Sequence, residues 1–300
     1  MREINFEHYK IFYYVAKFQN ITMAANYLFL SQPSISRCVK NLEDELGCKL
    51  FVRSKKGVEL TTGGEIFKHI SIACKHIFSA EEELALISER DRAIVRLGGS
   101  EVALQSFLID RIVEFHREHP KIQIKIDSMS TPDAIEALRA NLIDVAVVTS
   151  PFADKTGLNI NVIKKLQDIV AAGNGFSYLK DKEISLHELV KYPLICLKNT
   201  TTTRNYLDHI FRQHNLLLRP DIELTSINFV MPMVKNNLGI GFMQYATTKA
   251  EIEAGNIFRV NTKEQIPPRS ICAVTASQYE TPEPVQRFID SLLEKESVNI

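Results

Sequence analysis

Two groups of side chains in this 300-residue chain have types and spacing suited to binding chemistry. The first is the run SQPSISR, from Ser31 to Arg37. A guanidinium such as Arg37 can grip a guanine edge in bidentate fashion or hold a phosphate. Gln32 can pair with adenine, and Ser36 suits base edges or phosphate. Pro33, Ser34 and Lys40 fall on or beside the same polar face. Arg53, Lys55 and Lys56 follow on a short basic segment that can lie along flanking phosphates or reach a minor groove. The second group is Ser100, Glu101, Val102, Thr149, Thr202, Thr203 and Arg204. Its Ser and Thr residues sit where strands end and helices begin, so their hydroxyls and the neighbouring N–H groups suit a small anion. Glu101 can repel that anion or hold an amino group. Both groups also have a plainer reading: a polar helix face is often only solvated, and Ser or Thr before a helix is often only a cap.

Catalytic signatures are missing from the sequence. It contains no G-x-S-x-G, no P-loop and no H-E-x-x-H. His116 and His119 stand three apart without a cysteine or carboxylate framework, and they suit a helix C-terminus. Gly239 and Gly241 in NNLGIGFMQ do not form a dinucleotide fingerprint. The reading is therefore a binding protein, not an enzyme, with no metal and no cofactor.

Composition sets the frame for these groups. Formal net charge is zero, yet residues 1–64 carry nine Lys/Arg against six Asp/Glu, so a mildly basic N-terminus precedes a mildly acidic body. The five cysteines form no C-x-x-C pair, which argues for a reducing compartment. Cys196 is a buried structural thiol on this reading, with redox sensing as the lesser alternative. MREINFEHYK lacks an apolar signal core, and no apolar run approaches the ~18 residues of a membrane span. A cytoplasmic location with no membrane association is expected.

The elements that must position the first group are helical. Phe6, Tyr9, Phe12, Tyr13 and Ala16 mark one amphipathic helix, and Thr22 is the expected cap of a short second helix. Ser31 caps a third, with Pro33 in its first turn and Gly47 at its end. Ile35, Val39, Leu42 and Leu46 make its buried stripe, which turns Gln32, Ser36 and Arg37 outward. CKLFVRSKKGVELTT reads as two strands about a basic tip at Lys55-Lys56-Gly57. From Thr61 or Thr62 a long helix keeps a stripe of Ile66, Ile70, Ala73, Ile77, Leu84 and Ile87, which needs a partner. Beyond Ala93, strand-like and helix-like segments alternate, from IVRLGG and IQIKID through DVAVVT, PLICLK and GIGFMQY to ICAVTAS. That alternation predicts parallel α/β sheets.

From Phe12 to Gly64 the order of residue types resembles the N-terminal signature of LysR-type transcriptional regulators. The matching elements include Ala24-Ala25, Leu28, Ser31-Gln32-Pro33, Ile35-Ser36-Arg37, Leu42-Glu43, Leu46-Gly47, Leu50-Phe51, Arg53 and Leu60-Thr61. The resemblance implies an α/β chain overall, with a winged helix–turn–helix over 1–60 and a dimerising linker helix over 61–90. A two-lobed effector domain of periplasmic-binding-protein type follows over 91–300. Lobe I would comprise 91–161 and 267–300 and lobe II 162–266, with crossings near Asn161-Val162 and Gln265-Ile266. The implied partners are double-stranded DNA, a small-molecule effector (a carboxylate, amino acid or anion), a second copy in a homodimer or homotetramer, and RNA polymerase. Gln32, Pro33, Ser36 and Arg37 would approach bases, while Lys40 and Arg53 hold backbone. Ser100, Thr149 and Thr202 match the family's strand-end hydroxyls. Cys38, Glu101 and Val102 depart from its usual residues. The alternative from a different class is a small-molecule binding protein whose N-terminal helices hold a protein partner.

Overall fold

A computed structural model describes residues 4–54, 57–87, 93–152 and 154–293. The chain divides into two compact units, Met1–Arg90 and Asp91–Ile300. Among the described residues, no helix is long and apolar enough to cross a membrane.

The first unit opens with α1 (Phe6–Phe18) and α2 (Ile21–Tyr27). Asn20, not Thr22, caps α2: its side chain accepts from Met23 N at 3.0 Å. Both residue types cap well, and the carboxamide two residues earlier reaches the free N–H first. α3 (Gln32–Leu46) begins at Ser31, whose hydroxyl accepts from Ser34 N at 3.3 Å. It stops at Gly47, which takes the left-handed φ of 76° that a glycine adopts at little cost. Strands β1 (Phe51–Ser54) and β2 (Gly57–Leu60) form an antiparallel hairpin that pairs Arg53 with Val58. Lys55 and Lys56 lie outside the described residues. A 3-10 turn (Gly63–Ile66) leads into α4 (Phe67–Ile87). The Thr61 hydroxyl precedes this turn and accepts from Gly64 N at 3.1 Å.

The core of this unit joins Ile11, Phe12 and Val15 of α1 to Ala24 and Ala25 of α2 and to Ile35, Val39 and Leu42 of α3, all buried. Burying side chains such as Phe12 and Leu42 contributes roughly 1.5–3 kcal/mol each. The small pair Ala24-Ala25 lets α3 approach closely. α4 finds part of its partner at home. Phe67, Ile70, Cys74 and Phe78 pack on the α1 cluster, with the Phe67 and Phe78 rings each 6.0 Å from that of Tyr13. Ile72 and Ile77 stay exposed on the other side.

The second unit holds two mixed sheets. β3 (Ala93–Gly99) is followed by α5 (Glu101–Ala103), a π-turn (Leu104–Leu108) and α6 (Ile109–Glu118). Then come β4 (Ile122–Ser128), α7 (Thr131–Arg139), β5 (Val145–Thr149) and β6 (Leu158–Leu166). The chain crosses to the second sheet at Gln167, beyond the expected Asn161-Val162, because β6 stays paired with its neighbour as far as Leu166. The second lobe runs through β7 (Asp168–Gly173), β8 (Glu183–Ile184), α8 (Leu186–Leu189) and β9 (Leu194–Leu197). It continues with α9 (Thr202–Gln213), β10 (Ile222–Leu224) and α10 (Val230–Lys235). β11 (Ile240–Gln244), α11 (Tyr245–Glu253) and β12 (Ile257–Thr262) complete it. The chain then returns along β13 (Arg269–Ala276) to the first sheet and ends in α12 (Glu283–Leu293).

Sheet order is β4-β3-β5-β13-β6 in lobe I and β10-β9-β11-β7-β12-β8 in lobe II. The sheets are not wholly parallel as the alternation predicts. β13 runs antiparallel to β5 and β6, and β7 antiparallel to β11 and β12. Both exceptions are strands entered from the two crossings, so they meet their sheets from the opposite end. Gly241 lets α10 lie against β11, since a Cβ there would come within 2.7 Å of Val234 Cγ2. Gly239 likewise leaves no room for a side chain, since a Cβ there would come within 2.7 Å of Pro193 O.

Candidate DNA-reading helix and effector cavity

α3 presents the first group of residues as its stripe requires. Gln32, Pro33, Ser34, Arg37 and Lys40 are exposed, Ser36 is half-buried, and Ile35, Val39 and Leu42 face inward. Among the described residues, no carboxylate pairs with Arg37 or Lys40, so both charges are available to a ligand. Arg53 lies on β1. The helix N-terminus, capped by Ser31, adds the partial positive charge that favours a phosphate.

Glu43 has a role that its place in an acidic run conceals. It is 7% exposed, and its carboxylate accepts from Lys49 Nζ at 2.5 Å and from the N–H groups of Leu50 and Phe51 at 2.9 and 3.3 Å. Burial alone would raise its pKa. The Lys49 hydrogen bond and the two backbone N–H groups more than offset that and hold it below its ordinary value. The C-terminal half of α3 is thereby tied to the start of β1, which fixes the angle between the helix and the hairpin.

In the second unit a cavity of about 390 Å³ opens between the lobes, at the carboxyl ends of β3, β4, β5 and β9. Open α/β sheets collect ligands at such strand ends. The cavity brings together Ser100, Glu101, Val102, Thr149, Thr202 and Thr203 from the predicted set. Arg204 does not join them. Its guanidinium is buried and bonds Asp208 at 2.9 Å, Glu223 at 2.6 Å and the carbonyls of Leu197 and Leu218, both at 3.1 Å. Four acceptors inside the lobe leave it a structural tie, not a ligand group. Sequence reasoning also missed much of the wall: Ser128 at the end of β4, Met129 to Thr131 and Asp133 beyond it, Thr201 before α9, and Thr225 and Ile227 beyond β10. The signal was present, since Ser130 and Thr201 are strand-to-helix caps like Ser100.

Two contacts cross between the lobes beside the cavity. Glu101 Oε2 accepts from Ile227 N at 2.9 Å, and Gln105 Nε2 donates to Asn228 Oδ1. At the crossings, Arg269 is the anchor. Its Nε and Nη2 donate to Asp168 at 2.6 and 2.9 Å, and its Nη1 donates to Thr203 Oγ1 at 3.2 Å. The two charged side chains are 0% and 2% exposed. Gln244 Nε2 donates to Asp168 at 3.0 Å. Tyr206 lies under the Arg269 guanidinium at 5.0 Å and donates its hydroxyl to Pro267 O. Burial, then the Asp168 carboxylate, pushes that phenol up to about 12. A wall residue of the cavity, Thr203, thus touches the pair that joins the two crossing strands.

Two other groups singled out in the sequence are shielded or packed. Cys196 is buried, and burial pushes its thiol up to about 12, far from the thiolate that redox chemistry needs. His119 ends α6 and sets its ring 4.6 Å from that of Phe115. No cluster of His, Cys, Asp and Glu suited to a metal occurs among the described residues.

Comparison with known proteins places these features. The family model for the bacterial regulatory helix-turn-helix protein, lysR family, matches residues 6–65, and that for the LysR substrate binding domain matches residues 88–297. A probable RuBisCO transcriptional regulator of Thalassiosira pseudonana is 27% identical over 256 residues, 81% of this chain and 82% of that protein. The fold matches full-length CbnR, a LysR family transcriptional regulator, with a TM-score of 0.72 at 18% identity, covering 99% of this chain and 100% of that one. CbnR is also known complexed with its target DNA. The regulatory domain of CcmR from Synechocystis PCC6803, in complex with 2-PG, matches with a TM-score of 0.62 at 18% identity, covering 68% of this chain and 97% of that one. The alternative of an N-terminal module that holds only a protein partner gives way to the helix–turn–helix match. The polar face of α3, the cavity between two α/β lobes and both family matches make this chain a member of the LysR family of DNA-binding, effector-responsive transcriptional regulators.

Proposed function

We propose that the chain reads its operator with Gln32, Pro33, Ser34, Ser36 and Arg37, while Lys40, Arg53, Lys55 and Lys56 hold flanking phosphates. The observation that carries this reading is the polar front of α3: exposed, without carboxylate partners among the described residues, and held at a fixed angle by Glu43. Residues 1–60 form the DNA-binding module, 61–90 the dimerising linker and 91–300 the effector domain. A second copy pairs along the exposed side of α4, so two recognition helices meet one duplex, and pairs of dimers make a tetramer. The chain works in the cytoplasm by binding alone and contacts RNA polymerase at the promoter.

The effector sits in the cavity between the lobes and is a small carboxylate, amino acid or anion. Ser100, Thr149, Thr202 and Thr203 bind it, with Glu101 and Val102 at the wall. A ligand that prefers one lobe closure shifts the population of that closure and, through the linker, the placement of the DNA-binding modules. Selection from a random duplex pool with the full chain tests the DNA reading. The expected product is an enriched, two-fold symmetric sequence, with preference at one base pair per half-site lost in Arg37→Ala. Recovery of unenriched DNA would contradict it.

A further inference from the structure

The effector cavity carries an uneven polarity that narrows its ligand. Two of its hydroxyls have their acceptor role filled by the protein. Ser100 Oγ accepts from Ala103 N at 3.3 Å, and Thr203 Oγ1 accepts from Arg269 Nη1 at 3.2 Å. Each keeps its own proton to donate, because a hydroxyl carries one donor beside its acceptor lone pairs. Ser130 and Thr201 are engaged in both directions. Ser130 accepts from Asp133 N and donates to Asp133 Oδ2 at 2.6 Å, while Thr201 accepts from Arg204 N and donates to Lys198 O at 2.9 Å. Thr131, Thr149 and Thr202 line the cavity at 2%, 2% and 9% exposure, and among the described residues no protein group takes their hydroxyls. These three hydroxyls open onto the cavity, where each is free to donate to and accept from a ligand.

The charges on the wall then limit what that ligand is. Thr131 and Thr202 open α7 and α9, helices of nine and twelve residues, whose first N–H groups favour one carboxylate. Among the described residues, no Lys, Arg or His lines the cavity. The Arg269 guanidinium behind Thr203 is already matched by Asp168. Two carboxylates do line it. Glu101 gives one oxygen to Ile227 N and Asp133 one to Ser130 Oγ, which leaves each with an oxygen that no described residue engages. A second negative charge on the ligand would face these carboxylates with no cation to balance it. A single ammonium would meet them directly. Val102, Met129, Leu197 and Ile227 supply the apolar remainder of the wall.

We infer that the effector is a zwitterion of the α-amino-acid class with an apolar side chain, its carboxylate held by the Thr202–Thr203 helix start and its ammonium by Glu101 and Asp133. This inference rests on the proposal that an effector occupies the cavity. Isothermal titration of the full-length chain with each proteinogenic L-amino acid tests it, alongside succinate and inorganic phosphate. For the tightest amino acid, the deaminated acid and the decarboxylated amine are titrated as well. One apolar amino acid binds at one site per chain, and loss of either charged group weakens it at least tenfold. Glu101→Gln weakens the amino acid but not its deaminated analogue, whereas Thr203→Val weakens both acids but not the amine. Melting curves of the two free variants report whether each folds. Tighter binding of succinate or phosphate, abolished by Thr149→Val, would overturn the zwitterion while leaving the cavity as the effector site. Amino-acid binding untouched by all three substitutions would place the site elsewhere and overturn both proposals. Absence of binding by every amino acid would overturn the zwitterion outright.

Discussion

Glu43 joins a local hydrogen-bond pattern to the geometry of recognition. Its carboxylate holds the N–H of Leu50, a residue with 0% exposure, so removing the charge leaves a buried donor poorly matched. Glu43→Gln should cost about 1–3 kcal/mol of stability at neutral pH. The pH dependence has a definite sign. The folded carboxyl titrates below its ordinary 4.5, so its contribution is complete above that value and is lost as pH falls through the depressed folded value. Urea unfolding across the acid range should show the difference between native and variant shrinking as pH drops. A constant difference would mean that charge is not what Glu43 contributes. Thiols give a second prediction. Burial raises Cys74, Cys196 and Cys272, while Cys48 is exposed. Labelling of the native chain should modify Cys48 while those three stay protected until urea unfolds it. Rapid labelling of Cys196 would revive a redox role for it.

At the scale of elements, the sequence was most legible where one period governed a segment. Ile35, Val39, Leu42 and Leu46 share one stripe, and that stripe alone sets which way Gln32 and Arg37 face. β7 was less legible: DIVAAG is buried at every position, and its alanines and glycine carry little strand preference. Arg204 misled because a charge beside a helix start looks like a ligand group, and only the fold brings Glu223 and the Leu218 carbonyl to it. The Asp168–Arg269 pair was hidden by its 101-residue separation. Removal of one partner from such a buried pair typically costs about 3–5 kcal/mol, whereas replacement of both costs far less. Asp168→Ala and Arg269→Met should each be strongly destabilising, and the double variant should lose clearly less than their sum in denaturant unfolding. Additive losses would show that the two crossing strands are held by other contacts. α4 carries two apolar faces where the sequence shows one stripe, since Cys74 and Phe78 turn to α1 while Ile77 stays exposed. If copies pair along that face as proposed, Ile77→Glu should lower the oligomeric mass in sedimentation at micromolar concentration, with helix content unchanged. An intact dimer would move the pairing surface away from that face.

The whole molecule joins a DNA-binding module to an effector-binding domain, and in the function proposed above both bind through groups that the protein itself leaves open. In the sensor these are the hydroxyls of Thr131, Thr149 and Thr202. In the reader they are the charges and amides at the front of α3. A two-fold pair of such readers doubles the phosphate contacts on one duplex, so affinity should depend steeply on salt. Fluorescence anisotropy of the full-length chain with its selected duplex, titrated from low to physiological salt, measures whether α3 reads DNA. Log affinity should fall linearly with log salt at a slope of about −0.9 per phosphate neutralised. Arg37→Ala should weaken binding by about 1–3 kcal/mol, roughly 5- to 150-fold. Binding that ignores salt, or an Arg37→Ala variant that binds as tightly as the native chain, would contradict the assignment of α3 as the element that reads DNA.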